Sequence, residues 1–410
     1  MSAKTETIVS ARKPVPRGVA TGGLPLLSYG FRPFFLVATI FAVLAMTLWI
    51  AALTTGLEIG GSYGALNWHA HEMLFGYASA TLAGFMLTAI PNWTGRLPVS
   101  GIPLLVLVTL WVMGRLAMAL PDVAGLPASM AIDAAFLPAM ALVAGREIVV
   151  GKNWKNLKIL AALIALSTAN IVFHVGAVIL SDIALATRLT VSVYVMLIAL
   201  MGGRIIPSFT RNWLAKAGSK KLPAPVDWLD TLSLVLLALA LVSWIALPDG
   251  WPAATTSWLA AGAQAYRLSR WQGWRTVDEP ILLVLHLAYA FIPIGLACVA
   301  AAALGWLSAP SALHLLTVGV IGNMTFAVMT RASLAHTGRV VSASAGTSLA
   351  YLGLLVATVV RPFAEIIPDA YHLLLSISGG CWIGAFGLFA LEYGPMLCAG
   401  KYAKAQAPRT

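Results

Sequence analysis

Charged residues are scarce in this sequence. Only 10% of its 410 residues are Asp, Glu, Lys or Arg, whereas 60% are hydrophobic. A typical soluble domain has roughly a quarter charged and half apolar residues. So little charge cannot cover the surface of a water-soluble chain of this length, which excludes an ordinary soluble globular protein. The composition therefore predicts an all-α integral membrane protein.

Cysteine is also rare, and its spacing is uninformative. Cys298, Cys381 and Cys398 form no CxxC or CxxCH segment. This pattern argues against a disulfide framework, an iron–sulfur cluster and covalently attached c-type haem. The first 28 residues are polar and basic, and they lack a short apolar core followed by a cleavage site. They are predicted to be a cytosolic tail and not a signal peptide.

Long apolar runs fill the rest of the chain. A bilayer core needs about 20 apolar residues per helix, and runs of that length are separated by polar, Gly or Pro residues. Twelve spans are predicted, at 29–54, 66–90, 101–120, 127–150, 156–181, 183–207, 228–247, 251–271, 279–304, 310–332, 345–366 and 371–399. The eighth, with Gln264 and Arg267, is the least hydrophobic. We therefore predict one transmembrane domain over 29–399, with cytoplasmic tails at 1–28 and 400–410.

The positions of Lys and Arg predict the orientation, because these residues stay in cytoplasmic loops. With the N-terminus inside, all but three of the 26 basic residues are cytoplasmic. The exceptions are Arg115, Arg188 and Arg361. Both termini are therefore predicted to be cytoplasmic. The net charge of +11 follows from this asymmetry and from attraction to anionic membrane lipid, so it requires no nucleic acid.

Three of the predicted spans end in related polar segments. They lie at 89–96, 204–211 and 328–331, where the second, sixth and tenth spans reach the cytoplasmic side. This recurrence favours three repeated four-helix units.

Histidines are the main candidates for chemistry. The chain has seven: His69, His71, His174, His286, His314, His336 and His372. A single buried histidine often only packs, but ionisable groups inside a membrane are costly and mark functional sites. The helical rise predicts that His71, His174 and His314 share one layer near the outer face. His69 and His372 lie slightly above it, His286 lies nearer the inner side, and His336 is expected in a solvated loop.

Imidazoles that converge at one depth can bind a metal. Neutral imidazole suits haem iron and copper, whereas the scarcity of Cys, Asp and Glu in the spans disfavours zinc and iron–sulfur sites. His69 and His71 are two residues apart, so they point about 200° apart and are expected to face different centres. The alternative is that they only make polar contacts with Glu72 and Asn67. The pattern favours non-covalent haem b, with or without copper.

Other polar residues suggest supporting roles. Glu72 could orient the imidazole of His71 or relay protons. Asn170 lies on the same helical face as His174. Arg32 and Arg331 could bind a haem propionate or a lipid phosphate at the inner face, with snorkelling to the interface as the alternative.

These residues lie in segments that resemble the NnrS family of bacterial membrane proteins. The matching segments are YGFRPFF at 29–35, WHAHEMLFG at 68–76, HLAY at 286–289 and the stretch 312–339. The resemblance implies a twelve-helix protein of the bacterial inner membrane that contains haem and copper and serves the response to nitric oxide. It strengthens the case for ligation by His69, His71, His286 and His314. It supports His174 and His336 less.

Three functions are compatible with these features. The first is reduction of nitric oxide or a related small molecule at a His-ligated site near the periplasmic face, with electrons from quinol or a partner protein and protons passed by Glu72. The second is a non-catalytic haem-based sensor, sink or protective protein. The third is a transporter of metal, haem or a nitrosyl ligand, which the predicted repeat would suit.

Overall fold

The computed structural model of the protein describes residues 23–400, and within that range it contains helices and no strand. The predicted tails fall largely outside this range, at 1–22 and 401–410. The predicted all-α class is confirmed for the described residues.

Twelve long helical segments coincide with the twelve predicted spans. They are α1 Phe31–Thr55, α2 Ala65–Thr94, α3 Ile102–Ala119, α4 Leu126–Val150, α5 Trp154–Leu180, α6 Ala184–Lys216, α7 Trp228–Ala246, α8 Trp251–Ser269, α9 Pro280–Ala303, α10 Ala309–Thr337, α11 Ala345–Ile366 and α12 Pro368–Cys398. Eleven of them are long and apolar enough to cross a membrane. The exception is α8, as its composition suggested.

Buried polar groups account for the low hydropathy of α8. Gln264 and Arg267 are fully buried between α7 and α9 and do not face outward. The Arg267 guanidinium donates to an Asp230 carboxylate oxygen at 2.9 Å and to the Tyr289 hydroxyl at 2.9 Å. Gln264 donates to the Ser233 carbonyl at 2.8 Å. Because these polar atoms are satisfied inside the protein, the outward face of α8 stays more apolar than the whole helix.

Three predicted spans end too early. The helices α2, α6 and α10 continue to Thr94, Lys216 and Thr337, so the segments taken as polar turns after them are largely helical. Pro91 and Pro207 lie inside these helices. The polar residues mark where each helix leaves its apolar environment, and the helix itself continues beyond them. The three-unit repeat stays a prediction.

Short π-helical segments interrupt three of the helices. They span Glu72–Tyr77 in α2, Gly176–Leu180 in α5 and Leu315–Gly322 in α10. Each begins one or two residues after a histidine, namely His71, His174 and His314. π-helical turns are rare and occur frequently at functional sites.

The helix α2 lies between two groups of helices. α1 packs against α2 and α12, while α10 contacts α9, α11 and α12. On the other side of α2, α3 packs on α4 and α4 on α5. Arg32 joins the start of α1 to the end of α12, since its guanidinium donates to the Leu397 carbonyl at 2.8 Å.

Candidate metal and cofactor sites

Two histidine groups lie on opposite sides of α2. His71 packs against His174 of α5, with ring centroids 4.7 Å apart. His69 instead lines a cavity that His314 of α10 also lines. The helical period thus correctly predicted that His69 and His71 face different surroundings. His314 lines the same cavity as His69 and does not join His71 and His174, so the three histidines predicted at one depth do not converge on one site.

The first group is a buried polar cluster, formed by Tyr63, His71, Glu72, Arg115, Asp133, Asn170 and His174. Every member is at most 6% exposed. Asp133 lies at its centre: the carboxylate Oδ2 is 3.1 Å from His71 Nε2 and 3.0 Å from His174 Nε2. The same oxygen accepts from Asn170 Nδ2 at 2.9 Å.

Arg115 supplies the positive charge of the cluster. Its guanidinium donates to Glu72 Oε2 at 2.7 Å, and another of its nitrogens pairs with Asp133 Oδ1. Gly76 makes this approach possible, because a Cβ on that residue would lie 2.8 Å from the guanidinium. The π-helical turn after His71 carries this glycine and Glu72, so it positions one carboxylate and leaves space for the arginine.

Each imidazole of the cluster is oriented through its Nδ1 atom. His71 Nδ1 lies 2.9 Å from Glu72 Oε1, and His174 Nδ1 lies 3.1 Å from the Tyr63 hydroxyl. Both Nε2 atoms are thereby directed at Asp133. Metal-binding histidines typically use the second ring nitrogen in this way.

The connection that contains Tyr63 is tied to the α3–α4 connection. The Ser62 amide donates to Asp122 Oδ2 at 3.0 Å, and the Ser62 hydroxyl also donates to this carboxylate. These hydrogen bonds hold the pKa of Asp122 below its ordinary value. This contact fixes the short helical turn Gly61–Tyr63 over the cluster.

The cluster can hold a metal ion. His71, Asp133 and His174 offer ligand atoms that all lie within 4.8 Å of one another. Two carboxylates face one guanidinium, so with neutral imidazoles the cluster lacks one positive charge. His71 has only acceptors near its two nitrogens, namely Glu72, Asp133 and the Asn170 carbonyl oxygen. A single extra cation between the imidazoles and Asp133, either a proton or a metal ion, would complete both the charge balance and the contacts.

The second group lines a cavity of about 780 Å³. His69 projects from α2 and stacks on Trp49 of α1, with ring centroids 4.3 Å apart and an interplanar angle of 10°. His314 reaches the cavity from α10. Most of the remaining wall is apolar or aromatic, and it includes Met46, Met73, Tyr77 and Trp382.

Hydrogen bonding leaves His314 able to bind a metal in the cavity. His314 Nδ1 lies 2.7 Å from the Pro310 carbonyl, which accepts a hydrogen bond and so requires the proton on Nδ1. The lone pair of His314 is then on Nε2. The Nδ1 atom of His69 is buried and has no hydrogen-bond partner among residues 23–400. Because this atom is enclosed by protein, a ligand in the cavity does not reach it.

Cationic side chains also line this cavity. Arg188 of α6 and Arg361 of α11 contribute to its wall, together with Asp182, Asp249 and Glu365. These residues come from helix ends and short connections at the end of the bundle predicted to face outward.

Other predicted site residues lie elsewhere. His286 is buried in α9 and its Nε2 is 2.8 Å from the Thr210 hydroxyl, so it joins neither histidine group. His336 is not in a solvated loop. It lies half-buried in the last turn of α10, and its ring is 5.8 Å from that of Tyr29. His372 is exposed at the start of α12.

The two predicted propionate ligands are also remote from both groups. Arg32 binds carbonyl groups at the end of α12, including that of Leu397. The Arg331 guanidinium lies 3.8 Å from the centre of the Phe209 ring. Neither arginine lines the cavity.

Several site residues escaped the sequence analysis. Asp133 is an acidic residue inside a predicted span, a signal that was available. A second signal was the set of three basic residues that the predicted orientation places outside the cytoplasm. Arg115 belongs to the buried cluster, and Arg188 and Arg361 line the cavity. The three basic residues that did not fit the predicted orientation were therefore indicators of the sites.

Fold and sites together define a multi-pass helical membrane protein with a buried histidine group that could hold a metal ion and a second pair of histidines that lines a cavity. A family model described as NnrS protein matches residues 25–401. The chain therefore belongs to the NnrS family, as the sequence motifs suggested. No curated protein matches it.

Proposed function

We propose that the protein binds haem b in the cavity and copper in the buried cluster, and that it binds and reduces nitric oxide. The observation that carries the proposal is the pairing of His69 with His314 across an apolar cavity. The Nε2 atom of His314 is available there for a metal.

The cavity residues fit a haem. The cavity volume of about 780 Å³ lies in the range of small-molecule and cofactor sites, about 300–1,000 Å³. His314 would offer Nε2 to the iron while the Pro310 carbonyl holds its Nδ1 proton, and His69 would line the space beside the bound group. When bound, haem iron with imidazole ligands supplies reversible binding of small neutral molecules and electron transfer.

The charge of the buried cluster favours copper in its monovalent state. His71, Asp133 and His174 would be the ligands, with Glu72 and Tyr63 holding the two imidazoles. The cluster lacks one positive charge, which Cu(I) supplies. A divalent ion would leave one excess charge in a site with almost no access to water. Imidazole nitrogen is a suitable ligand for copper.

The remaining residues of the chain would control access and protons. The largely apolar part of the cavity wall would admit a neutral diatomic molecule. Glu72 does not line the cavity, so its contacts support positioning of His71 more directly than proton delivery to a bound ligand. Reduction of two nitric oxide molecules to nitrous oxide and water takes two electrons and two protons. A quinol from the membrane or a partner protein would supply the electrons.

The proposal includes a topology in the bacterial inner membrane. We take α8 as the twelfth span, because its polar groups are satisfied inside the protein. Twelve crossings put both termini on one side, and the distribution of Lys and Arg makes that side cytoplasmic. The cavity then faces the periplasmic half of the membrane.

The decisive experiment has two stages. Purified protein from haem-replete cells should show the spectrum of non-covalent b-type haem and contain copper, and acid–organic extraction should remove the pigment. With reductant and nitric oxide, it should then produce nitrous oxide steadily. Pigmented protein that binds nitric oxide without turnover would identify a sensor or sink. Colourless protein would refute the haem site itself.

A further inference from the structure

The two cavity arginines have no counterpart in the function proposed so far. Arg188 and Arg361 come from different helices, α6 and α11, and line the same cavity as His69 and His314. We propose that they form a binding site for the two carboxylates of the cavity ligand, so that a dicarboxylate tetrapyrrole binds with its acidic edge toward them. This inference rests on the proposed haem site.

Arg188 is available for such a ligand. It makes no hydrogen bond or ion pair with any residue in the described range, and its Nε atom is buried without a partner. A guanidinium has five N–H donors in a planar arrangement that matches a carboxylate. The two terminal nitrogens of Arg188 remain accessible, and a ligand carboxylate in the cavity would pair with them.

Arg361 is only partly neutralised by the protein. Its two terminal nitrogens share a single oxygen of Glu365, at 3.3 and 3.4 Å, which is longer than a strong charge-assisted hydrogen bond. Its side chain is 10% exposed. Arg361 lines the same cavity as His69 and His314. A ligand carboxylate would therefore bind Arg361 while His314 binds the centre of the same molecule.

The surrounding charges do not already saturate this region. Asp182, Asp249 and Glu365 line the cavity, and among them only Glu365 contacts either arginine. Both arginines are exceptions to the cytoplasmic location of basic residues. Basic residues at the outward end of the bundle oppose the predicted orientation in the membrane. A ligand that requires them explains why they are present there.

The test compares two ligands that differ only in their carboxylates. The full-length protein is purified from haem-deficient cells and titrated with haem b and with haem dimethyl ester, whose propionates are esterified. Binding is followed by absorbance. Wild-type protein should bind haem b about 100-fold more tightly than the ester, since each charge-assisted pair contributes on the order of tenfold. Arg188→Gln and Arg361→Gln should each reduce this preference about tenfold, and the double variant should abolish it.

Matched controls separate this role from a structural one. Arg204→Gln changes an exposed arginine on the same helix as Arg188 and should keep the full preference. Arg361→Lys should retain part of it. If wild-type protein binds the ester as tightly as haem b, the carboxylate site is wrong while the haem site stands. If neither ligand binds, the proposed haem site itself is wrong. Loss of affinity for both ligands in the Gln variants, with the preference unchanged, would also refute the carboxylate site.

Discussion

Replacing Arg115 by Gln should destabilise the protein strongly. The guanidinium pairs with both Glu72 and Asp133 in a cluster whose members are at most 6% exposed. Removing one partner of a buried ion pair costs about 3–5 kcal/mol, because the remaining charge stays uncompensated. The entropy of unfolding scales to about 0.9 kcal/mol per kelvin for this length, so 4 kcal/mol corresponds to a fall of about 5 °C in Tm.

The assay is heating in detergent followed by size-exclusion chromatography, with the monodisperse peak measured against temperature. Arg96→Gln is the matched control. The Arg96 side chain is 34% exposed in its pair with Glu147, so this variant should lose no more than about 1 kcal/mol of stability. The double variant Arg115→Gln, Glu72→Gln removes one charge of each sign and should recover part of the lost stability. A Tm within 1 °C of wild type for Arg115→Gln, or a double variant less stable than the single, would refute the charge balance described here.

Four further predictions follow from the sites. His314→Ala should lose most haem per monodisperse protein in absorbance spectra, whereas His372→Ala should keep it, because only the former lines the cavity. Asp133→Asn should lower copper content in metal analysis while haem is retained. The lowered pKa of Asp122 means that its contact with the α1–α2 connection persists as pH falls through 3.8 and is lost only below that value. Pepsin should therefore cut this connection in wild type only at lower pH, but in Asp122→Ala at all pH values tested. A periplasm-active reporter fused after Asp249 should work, and one at the C-terminus should not; the reverse pattern would overturn the orientation.

The helices could be predicted from the sequence because bilayer-length apolar runs leave few alternatives. The ends of α6 and α10 could not, since a change from apolar to polar residues marks a change of environment and not the end of a helix. The burial of the polar side chains of α8 could not be predicted either. Arg267 and Gln264 lower its hydropathy, and only the neighbouring helices show that both side chains are buried.

The sequence predicts how far along each helix the site histidines lie, but not which direction each helix turns them. Helical rise places His71, His174 and His314 at similar depths from sequence alone. Which of them meet depends on how each helix is turned about its axis, and that depends on packing. The opposite directions of His69 and His71 follow from their spacing on one helix and were correctly predicted. The contacts of Arg115 with Asp133 required the packing of α3 on α4.

The π-helical turns make the two sites sensitive to chain length in a way that substitutions cannot reveal. Such a turn amounts to one extra residue in a helix, and each residue rotates the chain by about 100°. Deleting one residue from Leu315–Gly322 would restore a regular helix and turn His314 about 100° relative to the inner half of α10. The composition would barely change, yet the histidine would face a different neighbour. The same deletion within Glu72–Tyr77 would turn His69 and His71 together, so that a single lost residue displaces both histidine groups at once.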